Sequence, residues 1–308
     1  MSETAETSGG AGEEGAANAY LYMLSGSLAF ATMGALSHAA GARTDWQLVA
    51  VARTLVAAVL SASLALSLGV RLVFLRPGVL WMRSLVGSLG VICAFYSLTH
   101  QPVSTALTLS NTVPFWVTLL AWPVLGQRPV RAVWAAVVAG LAGVILIQRP
   151  DVSGDRLAGL AALGNAVCTA VAMLGLNRLG GVDARAVVTH FSVVSTAATL
   201  LFLLFTGGAV DYGTLREPGT LLLLAGVGAM GTLGQLGMTK AFALGNPAKV
   251  SVVGLMQIVF ALAFDLAVWR RPFDALTAAG IALVALPSAW LMLRNPLRKS
   301  AEIHLTQN

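Results

Sequence analysis

Apolar runs as long as a bilayer is thick set the first limit on what this chain can fold into. An α-helix needs about 20 apolar residues to cross the hydrocarbon core of a membrane. With charged and turn residues as boundaries, ten such runs follow one another: 20–40, 46–69, 79–98, 103–125, 130–147, 157–176, 184–206, 219–244, 248–268 and 275–293. Only 10% of the residues are charged, against about a quarter in soluble domains. The sequence therefore predicts an all-α polytopic membrane protein with ten transmembrane helices.

The polar segments predict the domain organisation. Residues 1–18 contain four glutamates and no Lys or Arg, which is typical of a disordered acidic tail. The polar linker 149–156 separates five runs in 19–148 from five runs in 157–293, and residues 294–308 form a basic tail. Both termini are predicted to be cytoplasmic, because that orientation places nine Lys and Arg residues in inward segments and six in outward loops.

Two apolar segments half a chain apart resemble each other. The first, QPVSTALTLSNTVPFWVTLLAWPVLGQRP, spans 101–129, and the second, NPAKVSVVGLMQIVFALAFDLAVWRRP, spans 246–272. Each begins with a polar residue and a proline and ends at Arg-Pro, and the alignment sets Pro114 opposite Gln257. Because each half has an odd number of spans, the halves would lie in opposite orientations in the membrane. The sequence predicts two inverted five-helix repeats with a substrate site near the membrane midplane between them.

Polar side chains inside the predicted spans mark candidate substrate contacts, because such groups are costly in lipid. In the fourth span Thr108 and Asn111 share one helix face, and Pro114 removes a backbone donor and kinks the helix. Four further candidates lie in other spans or close to this face: Tyr96, Trp116, Asn165 and Gln257. The polar members of this set could equally form hydrogen bonds between packed helices, so both interpretations stay open.

Three charged residues within the spans are candidates for ion coupling or anion contact. Asp265 could carry a coupling proton, or it could pair with the arginines that follow its span, Arg270 and Arg271. Arg53 and Lys240 could bind an anionic group of a substrate, or extend to the membrane interface as long basic side chains commonly do.

The sequence contains none of the usual motifs of catalysis or nucleotide binding. It has no G-x-S-x-G, H-E-x-x-H or Walker A motif, so we expect no catalytic residue, metal or cofactor and no ATP-driven step. No basic stripe indicates a nucleic-acid partner. These features favour a secondary transporter driven by a gradient or by exchange. A membrane-embedded lipid-modifying enzyme and a non-transporting sensor or scaffold are the alternatives.

Several segments together resemble a known family. They are Ala52-Arg53 in the second span, the segment 102–129, and Gly140 with Gly143 in the fifth span. The chain resembles the drug/metabolite transporter superfamily, in particular its EamA-type members, which have ten spans in two five-helix repeats. The family's Gly-Glu-Arg-like step at the end of the fourth span is Gly126-Gln127-Arg128 here.

The resemblance implies how such a protein works. It implies alternating access around a central cavity and efflux of small polar or amphipathic metabolites, but it fixes no substrate. We therefore expect a small-molecule substrate and the lipid bilayer as partners, a monomer or homodimer, and a multi-pass location in the plasma membrane.

Overall fold

The computed structural model describes residues 3–75, 77–100, 103–150, 155–206, 212–269 and 274–293. These residues form α-helices and one short 3₁₀ helix, Tyr212–Arg216, and no strand occurs among them. The α-helices, numbered in chain order, are α1 Glu3–Gly41, α2 Trp46–Ser67, α3 Gly78–His100, α4 Val103–Ser110, α5 Val113–Leu125, α6 Arg131–Gln148, α7 Arg156–Asn177, α8 Ala184–Thr206, α9 Pro218–Leu244, α10 Pro247–Gly254, α11 Met256–Trp269 and α12 Ala275–Leu293.

Eight segments of the described chain are long and apolar enough to cross a membrane. They are Ala17–Gly41, Trp46–Ser67, Arg131–Gln148, Arg156–Asn177, Ala184–Phe205, Pro218–Leu244, Pro247–Val268 and Ala275–Leu293. An all-helical multi-pass membrane protein is therefore confirmed. The count of ten spans stays a prediction, as does the disordered tail at 1–18. Helix α1 begins at Glu3, within that segment. The basic tail at 294–308 lies outside the described residues.

The fourth predicted span, 103–125, is two helices rather than one. Helix α4 ends at Ser110 and α5 begins at Val113, because Pro114 has no N–H to donate to the carbonyl of Ser110, four residues earlier. The backbone tightens at the break, where the N–H of Thr112 donates to the carbonyl oxygen of Leu109 at 3.2 Å.

The ninth predicted span, 248–268, is interrupted in a corresponding place without a proline. Helix α10 ends at Gly254, and α11 begins at Met256. The N–H of Leu255 donates to Val252 and that of Ile258 donates to Leu255, each over three residues and at 3.0 Å. Such short-range bonds replace the α-helical pattern over one turn. Both similar segments are thus discontinuous at about the same depth along their length.

Capping residues define several helix ends. The Asp155 carboxylate accepts from the N–H of Leu157 at the start of α7, and the Asn246 side chain accepts from the N–H of Lys249 at the start of α10. Gly126 ends α5 in the left-handed region at φ 72°, a conformation that glycine adopts without steric cost.

Helix pairs drawn from the two halves form the main contacts of the bundle. Helix α1 packs on α9 and α3 packs on α7, while α2 packs on α8 and α6 on α12. Glycines permit the close approaches: a Cβ on Gly143 would lie 2.6 Å from the carbonyl oxygen of Gly280 across the α6–α12 contact. Small residues at such contacts let helices associate in lipid, where no hydrophobic effect drives them together.

Polar side chains next to helix ends link the two halves of the chain. The amide of Asn246 donates to Oε1 of Gln127 at 3.1 Å, which joins the end of the first similar segment to the start of the second. Arg149, after α6, forms an exposed ion pair with Asp274, before α12. The Arg149 guanidinium and the bonds from Thr277 hold the pKa of the Asp274 carboxyl below its usual range.

Candidate functional site

A cavity of about 660 Å³ lies in the middle of the bundle. It is bounded by α1, α2, α3, α7 and α9 and by the two discontinuous pairs, α4–α5 and α10–α11. Its wall also includes Phe191 of α8 and Leu255, which lies between α10 and α11. Its volume falls within the range of about 300–1,000 Å³ that is typical of small-molecule sites. Its wall is mainly apolar and aromatic, and its polar side chains are Ser37, His38, Arg53, Arg83, Ser110, Asn111, Asn165, Thr169, Gln235, Ser251 and Gln257.

The two ends of the cavity differ. One end lies over a buried hydrophobic cluster formed by the middle of α1, the start of α3 and the ends of α7 and α9, including Tyr20, Leu80, Leu174, Leu176 and Phe242. At the other end the wall reaches Gly41 and Trp46, where α1 passes into α2. Because α1 runs from the cluster near Tyr20 to Gly41, this second end lies about 20 residues along α1 from the cluster, on the opposite side of the bundle. Packed side chains therefore seal one end of the cavity.

Arg83 of α3 is the most deeply buried charge on the cavity wall, with only 2% of its surface exposed. Its Nη2 donates to Oε1 of Gln235 on α9 at 3.3 Å. Its guanidinium carbon lies 3.9 Å from the centre of the Phe191 ring on α8, a cation–π contact. The other two guanidinium nitrogens, Nε and Nη1, are buried without a hydrogen-bond partner among the described residues.

Arg53 of α2 reaches the same face of α9 from another helix. It is half-buried, and a Cβ on Gly231 would lie 3.6 Å from its Cγ. Gly231 and Gln235 are one helical turn apart, so Arg53 and Arg83 approach neighbouring turns of α9. Within the described part of the chain, Arg53 forms no ion pair.

Five of the residues singled out from the sequence lie on the cavity wall: Arg53, Asn111, Pro114, Asn165 and Gln257. The Asn111 amide also donates to the carbonyl oxygen of Leu107 at 2.7 Å. Oδ1 of Asn165 accepts from the Thr169 hydroxyl at 3.2 Å. The structure thus brings together the polar groups from the two similar segments, while their role in binding stays a prediction.

Other predicted candidates lie away from the wall. Tyr96 stacks on His100 with 4.1 Å between ring centres, and the indole of Trp116 donates to Oγ1 of Thr112 at 3.2 Å. Lys240 places its Nζ 4.9 Å from the centre of the Tyr22 ring, and Thr108 is buried. None of the four lines the cavity. Asp265 lies in α11, but its side chain is outside the described residues.

Sequence reasoning missed Arg83 and Gln235. Arg83 is only five residues into α3, a position from which arginine commonly extends to the membrane interface. Gln235 lies among glycines that indicate helix packing. The sequence did contain one signal for Arg83: it is an arginine within the third predicted span, 79–98, which has no aspartate or glutamate.

An all-helical bundle with a central cavity and inward polar groups is typical of membrane proteins that carry solutes. The sequence pattern of the EamA-like transporter family matches residues 17–149. The pseudopaline exporter of Pseudomonas aeruginosa (strain UCBPP-PA14) is 30% identical over 260 residues, which cover 84% of this chain and 90% of the exporter. The chain belongs to the EamA-like transporter family.

More distant relatives carry other names within the same class. Solute carrier family 35 member G1 of Mus musculus is 26% identical, over 72% of this chain and 63% of that protein. The riboflavin transporter of Rhizobium johnstonii is 28% identical, over 70% of each. A crystal structure with 19% sequence identity superposes with a TM-score of 0.78 over 89% of this chain and 96% of that one, which shows a shared fold. The names are those of transporters and not of enzymes.

Proposed function

We propose that this protein is a secondary active transporter that exports small polar or amphipathic metabolites across the plasma membrane by alternating access. The central cavity, sealed at one end by packed side chains, carries this proposal. A relative that matches 84% of the chain is named an exporter. The absence of a Walker A motif from the sequence favours a gradient or an exchange as the energy source.

Two inverted five-helix repeats, 19–148 and 157–293, are the second part of the proposal. Each discontinuous pair, α4–α5 and α10–α11, then counts as one span, which gives ten. In this arrangement α1 corresponds to α7, α3 to α9 and α5 to α11. The helix contacts support the correspondence, because the α1–α9 contact has its counterpart in α7–α3 and the α1–α11 contact has its counterpart in α7–α5. The family pattern at 17–149 covers one such half. Half-helices that meet at mid-membrane are typical of transporter sites between inverted repeats.

The direction of the cavity follows from the proposed orientation. With both termini in the cytoplasm, the part of α1 around Tyr20, the start of α3 and the ends of α7 and α9 lie on the cytoplasmic side. The hydrophobic cluster at these ends then closes the cytoplasmic entrance, and the cavity reaches toward the exterior near Gly41 and Trp46. The structure corresponds, on this proposal, to the outward-facing state of the transport cycle.

The experiment that tests transport is a comparison of metabolites released by cells that overproduce the protein. Mass spectrometry of the medium should find at least one metabolite released faster than from cells with an empty vector. Asn111→Ala and Gln257→Ala should each lower that release several-fold, because each removes a polar group from the cavity wall. Membrane abundance, measured by immunoblot, should not change.

The matched control is Gln148→Ala at the end of α6, which removes the same amide from a residue that does not line the cavity. Release at the wild-type rate from both cavity variants would remove Asn111 and Gln257 from the site. An unchanged medium from cells with the wild-type protein would count against transport itself.

A further inference from the structure

The charges on the cavity wall are of one sign. Arg53 and Arg83 line it, and none of the lining residues is an aspartate or a glutamate. Among the described residues, the ion pairs are Arg149–Asp274 and Arg185–Asp183, both away from the cavity. Within the described part of the chain, the wall thus carries two positive charges without a carboxylate counter-ion.

Neutralisation cannot remove this cost, because an arginine guanidinium stays protonated in proteins. A buried charge without a partner is costly in a low-dielectric interior, and intramembrane charges usually mark a functional site. Gln235 and Phe191 position the Arg83 guanidinium, but both are uncharged. A ligand that brings a negative charge into the cavity would supply what the protein lacks.

The geometry of Arg83 favours a planar oxyanion. Gln235 accepts from one of the two N–H groups of Nη2, and among the described residues Nε and Nη1 have no hydrogen-bond partner, so the second N–H of Nη2 can pair with that of Nη1 or Nε. A guanidinium can offer two parallel N–H donors, which match the two oxygens of a carboxylate. Arg53, which reaches the next turn of the same helix, adds a second positive group that faces the cavity.

The rest of the wall favours an organic molecule over a bare inorganic ion. Phe30, Met33, Trp46, Met238 and Phe242 line the same cavity. Aromatic rings and methionine side chains adapt to apolar groups of varied shape. A ligand that satisfies both parts of the wall carries an anionic group and an apolar or aromatic body.

We propose that the cavity binds an amphipathic organic anion, with its carboxylate held by Arg83 and Arg53 and its apolar body against the aromatic and methionine side chains. This inference rests on the proposed function, whose substrate class it specifies. It extends the sequence-based candidate Arg53 to a pair and assigns the role of main anion contact to Arg83.

Matched acids and amides test the charge requirement directly. The purified full-length protein in detergent is titrated with indole-3-acetate and with indole-3-acetamide, and with 3-phenylpropionate and 3-phenylpropionamide, while its thermal unfolding is followed. A ligand that binds the folded state raises the unfolding temperature. The acids should bind about tenfold or more tightly than the corresponding amides. This comparison uses the wild-type protein and does not depend on the folding of any variant.

Arginine variants then assign the contact. Arg83→Gln and Arg53→Gln should each weaken binding of the acids about tenfold or more and leave the amides unaffected, and Arg83→Lys should retain part of the preference. Arg71→Gln, which changes an exposed loop arginine, serves as the control for net charge and should bind the acids as the wild type does.

Several results would overturn the inference. They are amides that bind as tightly as the acids, no binding by any acid, and arginine variants with unchanged preference. A shift of equal size from sodium sulfate would contradict the organic part of the assignment.

The anion site and the transport function can fail separately. Anion binding without any metabolite release would retain the anion site and count against transport. Release of an uncharged metabolite, with no acid preference in binding, would retain transport and overturn the anion site.

Discussion

Replacing Arg83 with methionine is expected to lower the rate of metabolite release by roughly thirtyfold or more, since loss of one partner from a buried charge pair commonly costs about 2–5 kcal/mol. The methionine fills a similar volume but offers neither a charge nor a hydrogen-bond donor. Arg83→Lys keeps the charge and should retain a measurable part of the rate. The measurement is the initial rate of release of the wild-type metabolite, divided by the amount of protein in the membrane.

The stability of this variant separates a transport role from a structural one. Arg83 is buried, and two of its nitrogens have no hydrogen-bond partner among the residues that the structure describes. Replacement of a poorly compensated buried charge by an apolar side chain is often neutral or stabilising. We therefore expect Arg83→Met to unfold at or above the wild-type temperature while it loses transport. Normal release, or a loss of transport that merely follows a loss of folded protein, would show that Arg83 is not a substrate contact.

Replacing Gly143 with alanine is expected to destabilise the folded protein by about 1–3 kcal/mol, the usual cost of overpacking a tight contact. The added Cβ would lie 2.6 Å from the carbonyl oxygen of Gly280 and 2.8 Å from Cγ2 of Val284. A backbone atom cannot move aside without shifting α12 relative to α6. The measurement is the thermal unfolding temperature of the purified protein, which should fall.

The control for this prediction is Gly34→Ala in α1, where an added Cβ would meet no atom within 4 Å. Because alanine is the better helix former, this variant should unfold at the wild-type temperature or slightly above it. Equal stability of the two alanine variants would mean that α6 and α12 do not approach as closely as described.

Composition and periodicity predicted most of the helices because lipid constrains them strongly. An apolar run of about 20 residues has few alternatives to a spanning helix, and the observed α2, α7, α8 and α12 begin and end within a few residues of the predicted runs. Pro114 also predicted the kink in the fourth span, since its missing N–H acts locally. The interruption at Leu255 could not be predicted in this way, because no proline lies near it in the sequence.

The cavity wall was harder to predict because it depends on how helices rotate against one another. Asn111, Asn165 and Gln257 reach the wall. Tyr96 instead stacks on His100, and Trp116 donates a hydrogen bond to Thr112, both four residues away along the chain. Sequence spacing does not say which helix faces which. The contact of Arg83 with Gln235 joins residues 152 positions apart, so no local pattern could reveal it.

Alternating access requires that the cavity open to each side of the membrane in turn. Val91 of α3 lines the cavity about halfway along its helix, and Val91→Cys can be made in a protein whose Cys93 and Cys168 are replaced by alanine. The reagent is a membrane-impermeant maleimide, added to right-side-out and to inside-out vesicles in separate experiments. Leu204→Cys, on an exposed apolar side chain of α8, is the control for cysteines that face lipid.

The decisive measurement is the rate at which Val91→Cys reacts in each type of vesicle. An alternating cavity predicts reaction from both sides, no leak of small ions through the same vesicles, and no reaction of Leu204→Cys from either side. Reaction of Val91→Cys from one side only, under conditions in which the protein releases its metabolite, would contradict alternating access.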